Sequence, residues 1–128
     1  MGLIVAKFGG SSVATPQMIQ AVAERLIALK DEGHDVVAVV SAMGDSTDDL
    51  LALAAQVDPH PTDRELDMLV TTGEQVSMSL LAMALHARGV ESVSFTGGQA
   101  GIHTDGVFGK SKITDVRPER IRQALDDG

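Results

Sequence analysis

Residues 3–12 read LIVAKFGGSS, and this stretch decides the fold class. Leu3 to Phe8 is a short apolar run with the character of a buried strand, and Gly9-Gly10 ends it. Just downstream, Thr15 is a good N-cap and Pro16 suits the first helical position, so a helix opens there and stops at Gly33. Met18, Val22, Leu26 and Leu29 fall on one face of that helix. Asp35 to Val40 is the next strand, and its VVAVV run has the continuous apolar character of a strand covered on both faces.

The alternation continues. A second helix starts at Ser46 or Thr47, with Asp48 and Asp49 favourably placed against the dipole of its first turn, and it ends before Pro59. Thr62 with Glu65 forms a capping-box pattern that opens a third helical stretch to about Arg88, where Gly89 stops it. Gly73 in the middle predicts a break or a packing contact. Glu91 to Phe95 reads as a third strand, Gly97 to Gly109 as loop, Lys112 to Val116 as a short strand and Pro118 to Asp126 as a final helix. Strand–helix alternation implies a largely parallel sheet with helices on both faces. No repeat or linker divides the 128 residues. Gly128 would cap the last helix, after which the alternation calls for another strand, so the chain is expected to be a truncated α/β domain.

Composition narrows the function classes. The core has to be aliphatic, because three Phe are the only aromatic residues and six Met join the aliphatic side chains in filling it. Without cysteine there is no disulfide and no thiol chemistry. The N-terminus lacks the basic region and cleavage site of a signal peptide, and no apolar run reads as a membrane span. A cytoplasmic protein is the plain expectation, with no membrane partner. A net charge of −8 argues against a nucleic-acid surface. It also means that an anionic ligand has to be held by local N–H groups and placed cations.

That directs attention to glycine-rich turns beside a lysine. In Lys7-Phe8-Gly9-Gly10-Ser11-Ser12 two glycines let the backbone turn sharply and present N–H groups, while Ser11 and Ser12 add hydroxyl donors and Lys7 adds charge. Gly-Gly alone would be read as a plain turn; a lysine within the apolar run, followed by Gly-Gly-Ser-Ser, favours phosphate binding. Neither G-x-x-x-x-G-K-[ST] nor G-x-G-x-x-G is present. The stretch Val40 to Asp48 also lies between a strand end and a helix start, where ligands bind in open α/β sheets. Ser41 and Thr47 there can donate to carboxylate or phosphate oxygens, although Ser46 or Thr47 taken alone is better read as a helix cap. Glu74, after Gly73, would be aimed into a cleft by a break in its helix; taken alone it reads as a surface glutamate. His34, His60, His86 and His103 have no ligand spacing, so no metal site is built from them. The Gly97–Gly101 loop reads equally as a binding loop or a surface connection.

Taken together and in this order, KFGGSSV at 7–13, VSAMGDSTDDL at 40–50, ELDMLVTTGEQVS at 65–77 and SFTGGQAGIHTD at 94–105 resemble aspartate kinase, of the amino-acid kinase family. The resemblance spans essentially the whole chain. It implies a three-layer α/β/α sandwich with a mainly parallel sheet, of the carbamate kinase-like kind. It also implies ATP as phosphoryl donor with Mg²⁺ on its phosphates, and L-aspartate as acceptor, in the first step toward lysine, threonine and methionine. By position, Lys7 would contact the ATP phosphates, with Phe8, Gly9, Gly10 and Ser11 lining them; Ser41 matches a nucleotide-side residue, and Thr47 and Glu74 match residues that bind aspartate. Phe8 stands where the family often has Tyr or Phe.

The resemblance therefore implies that residues 1–128 are the N-terminal, aspartate-binding part of a kinase domain. Family members add a second half that supplies most of the adenine and ribose site, and most add ACT regulatory domains; neither lies in this chain. The expected partner is a second copy or a complementing C-terminal half. Two rival readings are a kinase for another amino acid and a non-catalytic aspartate- or phosphate-binding subunit.

Overall fold

The computed structural model describes residues 2–128. Strands β1 (Leu3–Phe8) and β2 (Asp35–Val40) pair in parallel, with Leu3 opposite Asp35 and Phe8 opposite Val40. A 3-10 turn at Gly10–Val13 and helix α1 (Pro16–Asp31) make the crossover. Thr15 is extended and its Oγ1 accepts a hydrogen bond from the Met18 N–H at 3.2 Å, so the predicted cap is formed.

Side chains alternate along β1 and β2, and only one face is covered. Ala6, Phe8, Val36, Ala38 and Val40 turn toward α1 and toward α3 (Asp63–His86), which pack against each other. Phe8, Val13, Ile19, Val22, Ala23, Leu26, Leu81 and Leu85 form the buried core. Leu3, Val5 and Val39 are exposed on the opposite face. The apolar run of β2 therefore predicted cover on a face that nothing covers among the described residues. On α1 the buried stripe is Ile19, Val22, Ala23 and Leu26, and Met18 is 41% exposed. The stripe is turned one residue from the predicted face, because Ile19 and Ala23 sit more squarely over the sheet than Met18 and Leu29 do.

Helix α2 (Ser46–Val57) begins and ends where expected. The third helical stretch runs unbroken from Asp63 to His86, and Thr62 stands at its N-cap without a side-chain capping bond. Gly73 makes no break; it is a packing contact. By length and composition α3 alone among the described residues could cross a membrane. Its Gly73–Ser77–Leu81–Leu85 stripe is buried against the rest of the fold, and the charged Glu74 sits at its middle.

Two expectations fail beyond α3. Glu91 to Phe95 is not a paired strand. It is anchored to α3 instead, through His86 Nε2 and the Ser92 carbonyl at 2.8 Å and through the Ser92 hydroxyl donating to the Ala82 carbonyl. A cleft of about 1060 Å³ is lined by this segment and by β2, and no strand among the described residues pairs with the segment. The Gly97–Gly109 loop contains a strand, β3 (Ile102–Thr104), which pairs antiparallel with β4 (Ile113–Val116) as a separate hairpin. Helix α4 (Glu119–Asp127) follows, and Lys30 Nζ donates to the Gly128 carbonyl, tying the end of α1 to the end of α4.

Gly101 explains the hairpin's base. It has φ +84, it accepts from the Arg117 N–H at 2.8 Å, and a Cβ there would lie 1.8 Å from the Arg117 carbonyl oxygen. Only glycine fits that approach. Gly101→Ala is expected to open the base of the hairpin at a cost of about 1–3 kcal/mol. Hydrogen exchange at the Arg117 amide should accelerate while the amides of α1 keep their protection.

Candidate functional site

The carboxyl ends of β1 and β2 lie side by side, and the segments leaving them are bound to each other. Ser41 N–H donates to the Phe8 carbonyl at 3.1 Å, and Gly44 N–H donates to the Gly10 carbonyl at 2.9 Å. The loops touch because residue 10 lacks a side chain: a Cβ there would lie 2.9 Å from the Ala42 oxygen and 3.2 Å from the Gly44 oxygen. On the far side of the β2–α2 loop, α3 comes equally close, since a Cβ on Gly73 would lie 2.9 Å from the Ala42 methyl. These contacts gather the three predicted elements at one end of the sheet, the end at which open α/β sheets bind ligands.

Each predicted residue has a definite place. Lys7 is exposed on the uncovered face of β1, opposite Val39, and makes no ion pair among the described residues. Gly9 is extended at the N-cap of the 3-10 turn, with Gly10 and Ser11 as its first residues, so the opening N–H groups have no partners inside the turn. The Phe8 ring is different. It is buried in the core, with the Arg25 guanidinium 5.7 Å from its centroid, so Phe8 could meet a ligand only through its backbone. Ser41 and Thr47 are half-buried, and neither side chain makes a hydrogen bond within the described residues. Asp45 occupies the N-cap of α2 without a capping side-chain bond, so neither Ser46 nor Thr47 serves as the cap.

Glu74 is exposed on α3 and lines the large cleft with Thr71, Met78, Phe95, Thr96 and Gly97. Lys7, the glycine turn, Ser41 and Thr47 are not among the cleft's walls. The cation and the carboxylate thus approach the end of the sheet from different sides. The loop from Thr96 satisfies its own polar groups: Thr96 N–H donates to Gln99 Oε1 at 3.0 Å, and Gln99 N–H donates to Thr96 Oγ1 at 3.2 Å. That closure is the behaviour of a connection, although Thr96 and Gly97 border the cleft. Among the described residues no group of three or more His, Cys, Asp or Glu side chains is arranged to hold a metal ion. Ala42 is the residue that sequence reasoning passed over. A methyl group carries no chemical signal, and its role is visible only once Gly10 and Gly73 are seen on either side of it.

The model of the amino acid kinase family matches residues 2–128. The chain belongs to the amino acid kinase family. It is 57% identical over 128 residues to the aspartokinase of Mycolicibacterium smegmatis, covering all of this chain and 30% of that protein. It is 56% identical to the aspartokinase of Bacillus sp. strain MGA3, covering 31% of it. The crystal structure of aspartate kinase from Synechocystis superposes with a TM-score of 0.85 at 48% identity, over 98% of this chain and 20% of that one. The fold is thereby α/β with a parallel sheet, as the alternation predicted. The chain spans about a third of the length of the curated aspartokinases it matches.

Proposed function

We propose that this chain is the N-terminal, aspartate-side part of an aspartate kinase, which transfers the γ-phosphoryl group of ATP to the β-carboxylate of L-aspartate. The observation that carries the reading is the junction of the Gly9–Ser12 turn, the Ser41–Thr47 segment and α3 at one end of the sheet. The acceptor carboxylate has a reference pKa of about 3.9 and is already ionised at neutral pH, so no general base is needed. Catalysis is then positioning plus charge neutralisation.

In this reading Lys7 and the N–H groups of Gly9, Gly10 and Ser11 face the phosphates, Ser41 lies on the nucleotide side, Thr47 donates to a substrate carboxylate, and Glu74 holds the substrate ammonium. Mg²⁺ carried on the ATP phosphates would supply further charge neutralisation when bound, and among the described residues no cluster of carboxylates or histidines is arranged to hold it. Further polypeptide, from the same chain or from a partner, covers the face bearing Leu3, Val5 and Val39.

The test is a phosphorylation assay of the kinase polypeptide carrying this sequence, with aspartate, glutamate and N-acetylglutamate side by side. Phosphorylation of aspartate well ahead of the others supports the reading, and a preference for either of the others overturns it. Within that assay, Thr47→Val keeps the shape and removes the donor. It should raise the aspartate KM roughly tenfold with little change in kcat, the value of one hydrogen bond to a charged group.

A further inference from the structure

We infer that Ala42 is a positioning residue that locks the phosphate-side turn and the acid-side helix into a single arrangement, gripped between Gly10 and Gly73. The inference rests on the reading of the site proposed above. Ala42 is 4% exposed in the β2–α2 loop. On one side, the atoms that a Cβ at Gly10 would strike are the backbone oxygens of Ala42 and Gly44, at 2.9 and 3.2 Å, and backbone cannot swing aside. On the other side, a Cβ at Gly73 would strike the Ala42 methyl at 2.9 Å, and its next neighbour, Leu50 Cδ1, is at 3.6 Å.

A glycine in mid-helix is unfavourable relative to alanine, so α3 gains nothing locally from Gly73. What it gains is contact with Ala42. Three backbones are therefore stacked, from Gly10 through Ala42 to Gly73, and a single methyl group is the spacer between the last two. Each member adjoins a proposed site residue: Gly9 and Ser11 beside Gly10, Ser41 beside Ala42, Glu74 beside Gly73. Pushing Ala42 away from Gly73 drives it against Gly10, and the two sides of the site move together.

The test is a methyl swap in the kinase polypeptide carrying this sequence. Gly73→Ala adds a second methyl group where there is room for one. It should lower kcat/KM for aspartate roughly tenfold to a hundredfold, the usual effect of a small misplacement. It should also speed hydrogen exchange at the Ser41 and Gly44 amides, whose acceptors are the Phe8 and Gly10 carbonyls. Combining it with Ala42→Gly moves the methyl from loop to helix and leaves Leu50 in ordinary contact. The double variant should return to within about threefold of the parent, a non-additivity expected only of groups in contact. The inference is overturned if the double variant stays as impaired as Gly73→Ala, or if Gly73→Ala matches the parent in both readouts. Should Gly73→Ala fail to fold, recovery of folded protein in the double variant supports the inference, and failure of both overturns it. If the parent does not phosphorylate aspartate, the proposed function falls, while amide exchange across the variants still decides the coupling.

Discussion

Lys7→Ala is expected to lower kcat about a thousandfold while leaving the dissociation constant for aspartate within about twofold. The size follows from the electrostatics. The chain carries a net charge of −8, so the general field repels a polyphosphate, and the proposed phosphate turn has to be served by a local cation. Lys7 stands one residue before the end of β1, two before Gly9, and is committed to no ion pair among the described residues. A cation aimed where charge develops during phosphoryl transfer contributes on the scale of two to three powers of ten in rate. The fold should not confound the measurement. Strand alternation turns Lys7 away from the core that buries Phe8, so truncation leaves no cavity in the core of the described residues. Steady-state rates at saturating substrates, with calorimetric titration of aspartate, make the comparison. A loss of less than tenfold in kcat would remove Lys7 from the phosphoryl-transfer role. A rise in the aspartate dissociation constant that matched the loss in rate would move it to the acid side.

How much of this was legible beforehand depended on whether the signal was local. Thr15, Pro16 and the apolar run of β2 act over a few residues, and the elements they predict are present. The family followed from several stretches taken together, none sufficient alone. Glu91 to Phe95 failed because a strand is defined by its partner, and here a cleft lies where that partner would be. The hairpin of β3 and β4 was missed because its decisive contact, Gly101 against Arg117, joins residues sixteen apart through a glycine that looks like any other loop glycine. The candidate site was legible only in its residue types, not in its geometry. Polar and glycine residues announced themselves, but the Phe8 ring faces the core, and the helix break expected to aim Glu74 does not exist. Gly73 instead lets an unbroken α3 approach the β2–α2 loop, which in the proposed reading is what places Glu74.

That placement sets up the second large effect. Glu74→Gln is expected to raise the aspartate KM roughly thirtyfold, because losing the charge of a hydrogen-bonded pair costs about 2 kcal/mol, with a smaller change in kcat. Gln is the informative substitution. It nearly matches Glu in size and in helix propensity, so α3 and its contact at Gly73 are left in place. Two further measurements separate loss of a charge pair from a general disturbance. Raising ionic strength should weaken aspartate binding to the parent and leave the Gln variant almost flat, since only the parent has a screenable attraction at this partly solvated position. Succinate keeps both carboxylates of aspartate and lacks its ammonium group, so as a competitive inhibitor it should bind parent and variant about equally. Tighter succinate binding by the variant would mean that Glu74 faces a carboxylate rather than the ammonium. An unchanged aspartate KM would leave Glu74 as a surface glutamate on the wall of the cleft, and the acid side of the site would have to be sought in the polypeptide that aspartokinases carry beyond this length.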